Sequence, residues 1–89
     1  MQTRIIVSRL VQGIGFRYFV LDNARELGIT GWVKNIEDGK VEALLQGRLE
    51  NIKKLIELCK TGSAMAKVEK IQEFESDEPI YQDFVVRKQ

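Results

Sequence analysis

The sequence predicts an α+β sandwich, with one antiparallel sheet covered on a single face by two helices. Three observations predict it. Stretches with strand-like alternation and stretches with helical period follow one another in the order βαββαβ, with a short strand appended. Glycines fall just past both helical stretches, at Gly28 and Gly62. And 89 residues bury only about 60–65% of the surface of the unfolded chain, enough for one two-layer core.

Residues 3–11 read as a strand. Ile5 and Val7 alternate with Arg4, Ile6 and Ser8, and the second face is only partly polar, which suits a central position. Residues 16–27 read as a helix with Phe16, Phe19, Val20, Ala24 and Leu27 on one apolar stripe, stopped by Gly28. Residues 30–36 form a second strand with Trp32, Lys34 and Ile36 on one face and Val33 and Asn35 on the other. Asp38-Gly39 is a hairpin signal leading into a third strand, residues 40–46.

Leu49, Ile52, Leu55, Ile56 and Cys59 make the stripe of a second helix, residues 49–60, with Lys60 in its last turn. Residues 67–74 form a fourth strand whose alternation slips between Val68 and Ile71, as a bulge would cause. Residues 76–82, with the only proline, Pro79, read as an exposed turn before a short strand, residues 83–88. This is the ferredoxin-like arrangement, in one domain spanning 1–89.

Composition removes several functions. Net charge is +1, too small for a protein that holds nucleic acid by bulk positive field. The charge is uneven, because residues 1–21 contain Arg4, Arg9 and Arg17 and no acid. No apolar run approaches the ~20 residues of a membrane span, and the first residues carry no leader-like apolar core. The single cysteine, Cys59, allows no internal disulfide and fits a reducing, cytoplasmic setting. Histidine is absent, which excludes Ser-His-Asp and Cys-His nucleophilic sites and histidine-bound zinc. Catalysis must then rest on positioning and electrostatics, a carboxylate, or a shifted lysine.

The candidate site begins at the stretch from Arg9 through Leu10, Val11, Gln12, Gly13, Ile14, Gly15 and Phe16 to Arg17. It joins the first strand to the first helix, and residues 12–17 contain no Ser, Thr, Asp or Asn to cap that helix. Its first backbone N–H groups are therefore left for another acceptor, at the positive end of the helix dipole and near a guanidinium. A phosphate cradle formed by Val11, Gln12, Gly13, Ile14 and Gly15 with Arg17 is one reading; a plain glycine-rich turn is the other. The dinucleotide fingerprint fails, since Tyr18 follows where a third glycine belongs, and no P-loop or metal spacing is present. In the second half, Gly31-Trp32-Val33-Lys34-Asn35 followed by Gly39, Val41 and Gly47 brackets a hairpin. Asn35 there reads locally as a cap of the turn.

Together these stretches resemble the two signatures of the acylphosphatase family. The first is matched from Val7 through Val11-Gln12-Gly13-Ile14 to Phe16-Arg17; the second is met in full from Gly31 to Gly47. The resemblance covers nearly the whole chain. It implies a ferredoxin-like sandwich and metal-free, cofactor-free hydrolysis of carboxyl-phosphate anhydrides. It puts the family's phosphate-binding arginine on Arg17 and its water-positioning asparagine on Asn35. A small-molecule acyl phosphate is then the partner, with no nucleic acid and no membrane, and the protein is expected to act as a cytoplasmic monomer.

One position departs from the pattern: Arg9 stands where the family has its first loop glycine. If the backbone there is left-handed, a side chain costs roughly 1–2 kcal/mol, and activity is expected to be reduced, not abolished. Two rival readings are carried forward. One is a non-catalytic phosphate binder. The other is an RNA-binding module that stacks bases on sheet aromatics.

Overall fold

The computed structural model describes residues 1–9, 14–62 and 68–88, with backbone only at Arg9 and Ile14. Strand β1 (Gln2–Arg9) leads to helix α1 (Ile14–Glu26), then β2 (Thr30–Asn35), β3 (Val41–Gln46), helix α2 (Leu49–Thr61), β4 (Val68–Glu75) and β5 (Phe84–Arg87). The strands form one sheet in the order β4-β1-β3-β2-β5. The predicted ferredoxin-like sandwich is what the chain adopts, with β1 central as its two-faced apolar pattern suggests. Three pairings are antiparallel; the appended β5 runs parallel to β2 and makes the sheet mixed.

Both helices lie on the face that carries Ile5, Val7, Val33, Val41, Ala43 and Leu45, and all six are buried. Phe16, Val20 and Ala24 of α1 and Ile52, Leu55 and Cys59 of α2 complete the core. Burial of one such large aliphatic side chain stabilises the fold by about 1.5–3 kcal/mol. Leu49, at the head of the predicted α2 stripe, is exposed instead. The stripe turns inward only at Ile52.

Local chemistry fixes the turns. Helix α1 ends in a Schellman motif: the Ile29 N–H donates to Ala24 O at 2.8 Å and the Gly28 N–H to Arg25 O at 3.2 Å. Asp38 and Gly39 both have positive φ (61° and 72°), and Lys40 N–H closes the turn onto Glu37 O at 3.3 Å. This is the left-handed pair that a right-twisted hairpin selects. Gly31 is required for another reason: a Cβ there would stand 1.9 Å from Leu44 O on the neighbouring strand. The slipped alternation in β4 is a bulge, since Ser8 pairs with Lys70 and Arg9 with Val68, leaving Glu69 extra.

The other sheet face is partly covered by cations. Lys34 Nζ and the Arg87 guanidinium lie 5.0 and 5.1 Å from the Trp32 ring centroid, and Arg4 lies 4.6 Å over Phe74. Glu42 ties the group together, accepting from Arg4 at 2.6 Å and pairing with Lys34 at 3.7 Å. The aliphatic stems of these residues cover apolar surface. Trp32 is thereby buried, whereas Phe74 and Val85 on the same face stay exposed.

The segment before β5 is not the free turn its polarity suggests. Gln46, buried at the end of β3, donates from Nε2 to Pro79 O at 2.9 Å and accepts from Tyr81 N–H at 2.8 Å. Gln2, its register partner on β1, donates to Glu78 O at 2.6 Å and accepts from Glu78 N–H at 3.0 Å. Two side-chain amides imitate the edge of a strand and strap residues 78–81 across the end of the sheet.

Candidate functional site

The register decides what can meet. On the helix-covered face Val41 pairs with Val7 on one side and with Asn35 on the other. Strands β1 and β2, both antiparallel to β3, therefore finish at the same end of the sheet. Helix α1 begins at that end, because its chain has just left β1, and it runs back over β2 and β5. Arg17 in its first turn and Asn35 at the tip of β2 thus share one end of one face.

They also share a flank. Arg17 heads the i, i+4, i+8 ridge through Leu21 to Arg25. Arg25 Nη2 reaches Asp83 Oδ2 at 3.3 Å, immediately before β5, so this ridge faces the β2–β5 side. The opposite ridge, Gly15–Phe19–Asn23–Leu27, ends where Leu27 lines a cleft with Lys53, Lys54 and Leu58 of α2. Phe19 on that ridge stacks with Phe16 at 6.1 Å between centroids, which fixes the pitch of the first turn over the core.

Arg17 is half-buried, and its Nε is shielded from solvent with no hydrogen-bond partner among the described residues. An unanswered guanidinium donor is costly unless a ligand answers it. Asn35 Oδ1 is likewise withdrawn from solvent. Beside it, Lys34, Asn35, Ile36 and Glu37 line a cleft of about 430 Å³. Here the pairing of β5 ends at Arg87 opposite Lys34, and β2 runs on to Asn35. No sequence pattern signals such a mismatch in strand length.

The remaining sequence-predicted residues separate clearly. Leu10, Val11, Gln12 and Gly13 lie outside the described residues. Ile14 opens α1, and Gly15 follows it, exposed. The first turn of α1 contains no acidic residue, so nothing there competes with an anion for the helix N-terminus. Arg9 is an extended ladder residue of β1 opposite Val68, and Asp38 is the one non-glycine with positive φ among the described residues. The backbone strain expected at Arg9 is therefore absent. Cys59 is buried on α2, and burial pushes its thiol up to about 12, which removes it as a nucleophile. Among the described residues no cluster of three or more Cys, Asp or Glu side chains is placed to hold a metal ion. Among the described residues no helix is long and apolar enough to cross a membrane.

Known proteins share both the sequence and this architecture. A profile of the Acylphosphatase family matches residues 3–86. An acylphosphatase of Shewanella amazonensis is 48% identical over 84 residues, covering 92% of this chain and 91% of the relative. The crystal structure of an acylphosphatase from Bacillus subtilis superposes with a TM-score of 0.89 at 41% identity, covering 97% of each chain. One from Coxiella burnetii gives a TM-score of 0.90 at 38% identity, over 97% of this chain and 90% of the other.

Proposed function

The chain belongs to the acylphosphatase family and hydrolyses acyl phosphates, and from that premise we propose how its own residues divide the work. The phosphoryl group sits at the N-terminus of α1. Backbone N–H groups of Val11, Gln12, Gly13, Ile14 and Gly15 and the Arg17 guanidinium bind its oxygens. Asn35, at the same end and on the same flank, holds the attacking water through its amide. Water reaches Asn35 through the cleft beside Ile36 and Glu37.

The chemistry asks for little more. The water oxygen bonds to phosphorus, and the bond from phosphorus to the acyl oxygen breaks. The carboxylate leaves with the electron pair, and the water's protons pass to inorganic phosphate and solvent. A carboxylate is a stable leaving group, so no general acid is needed. The transition state is loose, with charge spread over the phosphoryl oxygens, and positioning plus charge stabilisation lowers its energy. Neither Arg17 nor Asn35 has to change protonation, which accords with a chain that lacks histidine.

The observation that carries this assignment is the buried, unanswered Nε of Arg17 at a helix N-terminus without an acidic residue. The test is hydrolysis of benzoyl phosphate by wild type, Arg17→Ala and Asn35→Ala. The arginine change is expected to weaken both KM and kcat, the asparagine change mainly kcat. Variants equal to wild type would remove the assigned roles. We further propose that residues 1–89 act as one domain and as a cytoplasmic monomer. The continuous core and the free, buried Cys59 support this, and light scattering at micromolar concentration checks the oligomeric state.

A further inference from the structure

Gly15 is an anomaly in α1. It lies in the first turn and is exposed, its φ is outside the left-handed region, and a Cβ built on it meets no described atom within 4 Å. Glycine is the poorest helix former after proline. Neither backbone conformation nor packing among the described residues asks for it. What its missing side chain provides is space. Because Cα–Cβ bonds tilt toward the helix N-terminus, any side chain at 15 would lean over the rim of the proposed phosphate site.

The geometry of displacement says what that space is for. Entering and leaving oxygens stand roughly in line through phosphorus. Arg17 and Asn35 occupy the β2–β5 flank, so a water held by Asn35 enters from there. The acyl group then departs on the opposite side, toward the flank headed by Gly15. The two positions, two residues apart, are about 200° apart around the helix axis. We infer that Gly15 is the specificity-determining position for the acyl portion of the substrate: its bare Cα admits bulky, including aromatic, acyl groups past the helix N-terminus. This rests on the role proposed for Asn35.

The test uses Gly15→Ala and Gly15→Leu in the full chain. KM is measured for acetyl phosphate and benzoyl phosphate, with competitive inhibition by inorganic phosphate and the melting temperature alongside. Gly15→Leu should raise the ratio of the benzoyl to the acetyl KM by about tenfold, and Gly15→Ala by less. Any weakening of phosphate inhibition reports on the cradle, to which Gly15 lends its N–H, and acts on both substrates alike, so the KM ratio isolates the acyl portion. Gly15→Ala melts higher because the helix gains propensity. A flat KM ratio overturns the inference. So does an equal loss on both substrates in step with weakened phosphate inhibition, which would make position 15 part of the phosphate cradle alone. Arg17→Ala separates the two levels. If phosphate still inhibits that variant as it does wild type, the site assignment fails; if inhibition is lost and the ratio stays flat, only the role of Gly15 fails.

Discussion

The two ends of the sheet handle buried polarity in opposite ways. At one end Gln46, only 1% exposed, has its amide oxygen and nitrogen engaged by the backbone of Tyr81 and Pro79, and Thr30 Oγ1 adds a third contact at 3.3 Å. At the other end Arg17 keeps a buried Nε–H with no partner among the described residues. The first arrangement is complete in the folded chain. The second is left open among the described residues, and in the proposed mechanism the substrate completes it. Polar groups that finish their hydrogen bonds internally lock structure; groups left unfinished at a helix N-terminus mark the place where binding energy is available.

The contrast predicts that substitutions at one end cost activity and at the other cost stability. Arg17→Ala should show the largest effect, about 10³-fold in kcat/KM or roughly 4 kcal/mol. Its urea midpoint should stay at or above that of wild type, because an unanswered donor disappears. A lowered midpoint would mean that Arg17 is structural. Asn35→Ala should lose about 10²-fold in kcat, with KM changed less than about threefold. A rise in KM as large as the loss in kcat would move Asn35 from the water to the substrate.

Gln46→Ala should lower stability by about 2 kcal/mol, since Tyr81 N–H and Pro79 O lose their partner. At temperatures where the variant stays folded, kcat/KM should match wild type within about twofold, and a steeper loss would show that the two ends are coupled. The smallest effect is expected for Arg9→Gly. With Arg9 extended in β1, the change should cost about 0.5–1 kcal/mol in chemical denaturation through chain entropy. A gain in stability would restore the strain that the extended backbone argues against.

Much of this architecture is legible in the sequence because it follows local rules. Gly28 stops α1, Asp38-Gly39 turns the hairpin, and the slip between Val68 and Ile71 announces a bulge. Each is a short-range consequence of φ preference or side-chain period. The strap is not legible. Gln2, Gln46 and residues 78–81 are polar, and polarity points to solvent. Only the pairing of Gln2 with Gln46 across β1 and β3 turns two ordinary amides into a docking edge. The parallel placement of β5 is hidden for the same reason, because it depends on where the strap delivers the chain.

The site divides the same way. Arg17 and Asn35 stand out through the two signatures, whereas their shared flank comes from a ridge whose far end is tied by Arg25 to Asp83. The cleft beside Asn35 lies where β2 outruns β5, a difference between strands some fifty residues apart in sequence.

The covered tryptophan on the outer sheet face has a practical consequence. The chain has a single tryptophan, 4% exposed, with its indole N–H unpartnered among the described residues. Trp32 pairs in register with Val85 of β5 and Leu44 of β3. Its emission is therefore a native optical gauge of strand docking at one seam, blue-shifted while β5 is seated and red-shifted once water reaches the ring. Release of β5 can be timed in a stopped-flow mixer without attaching a label, on the flank of the sheet that also carries Asn35.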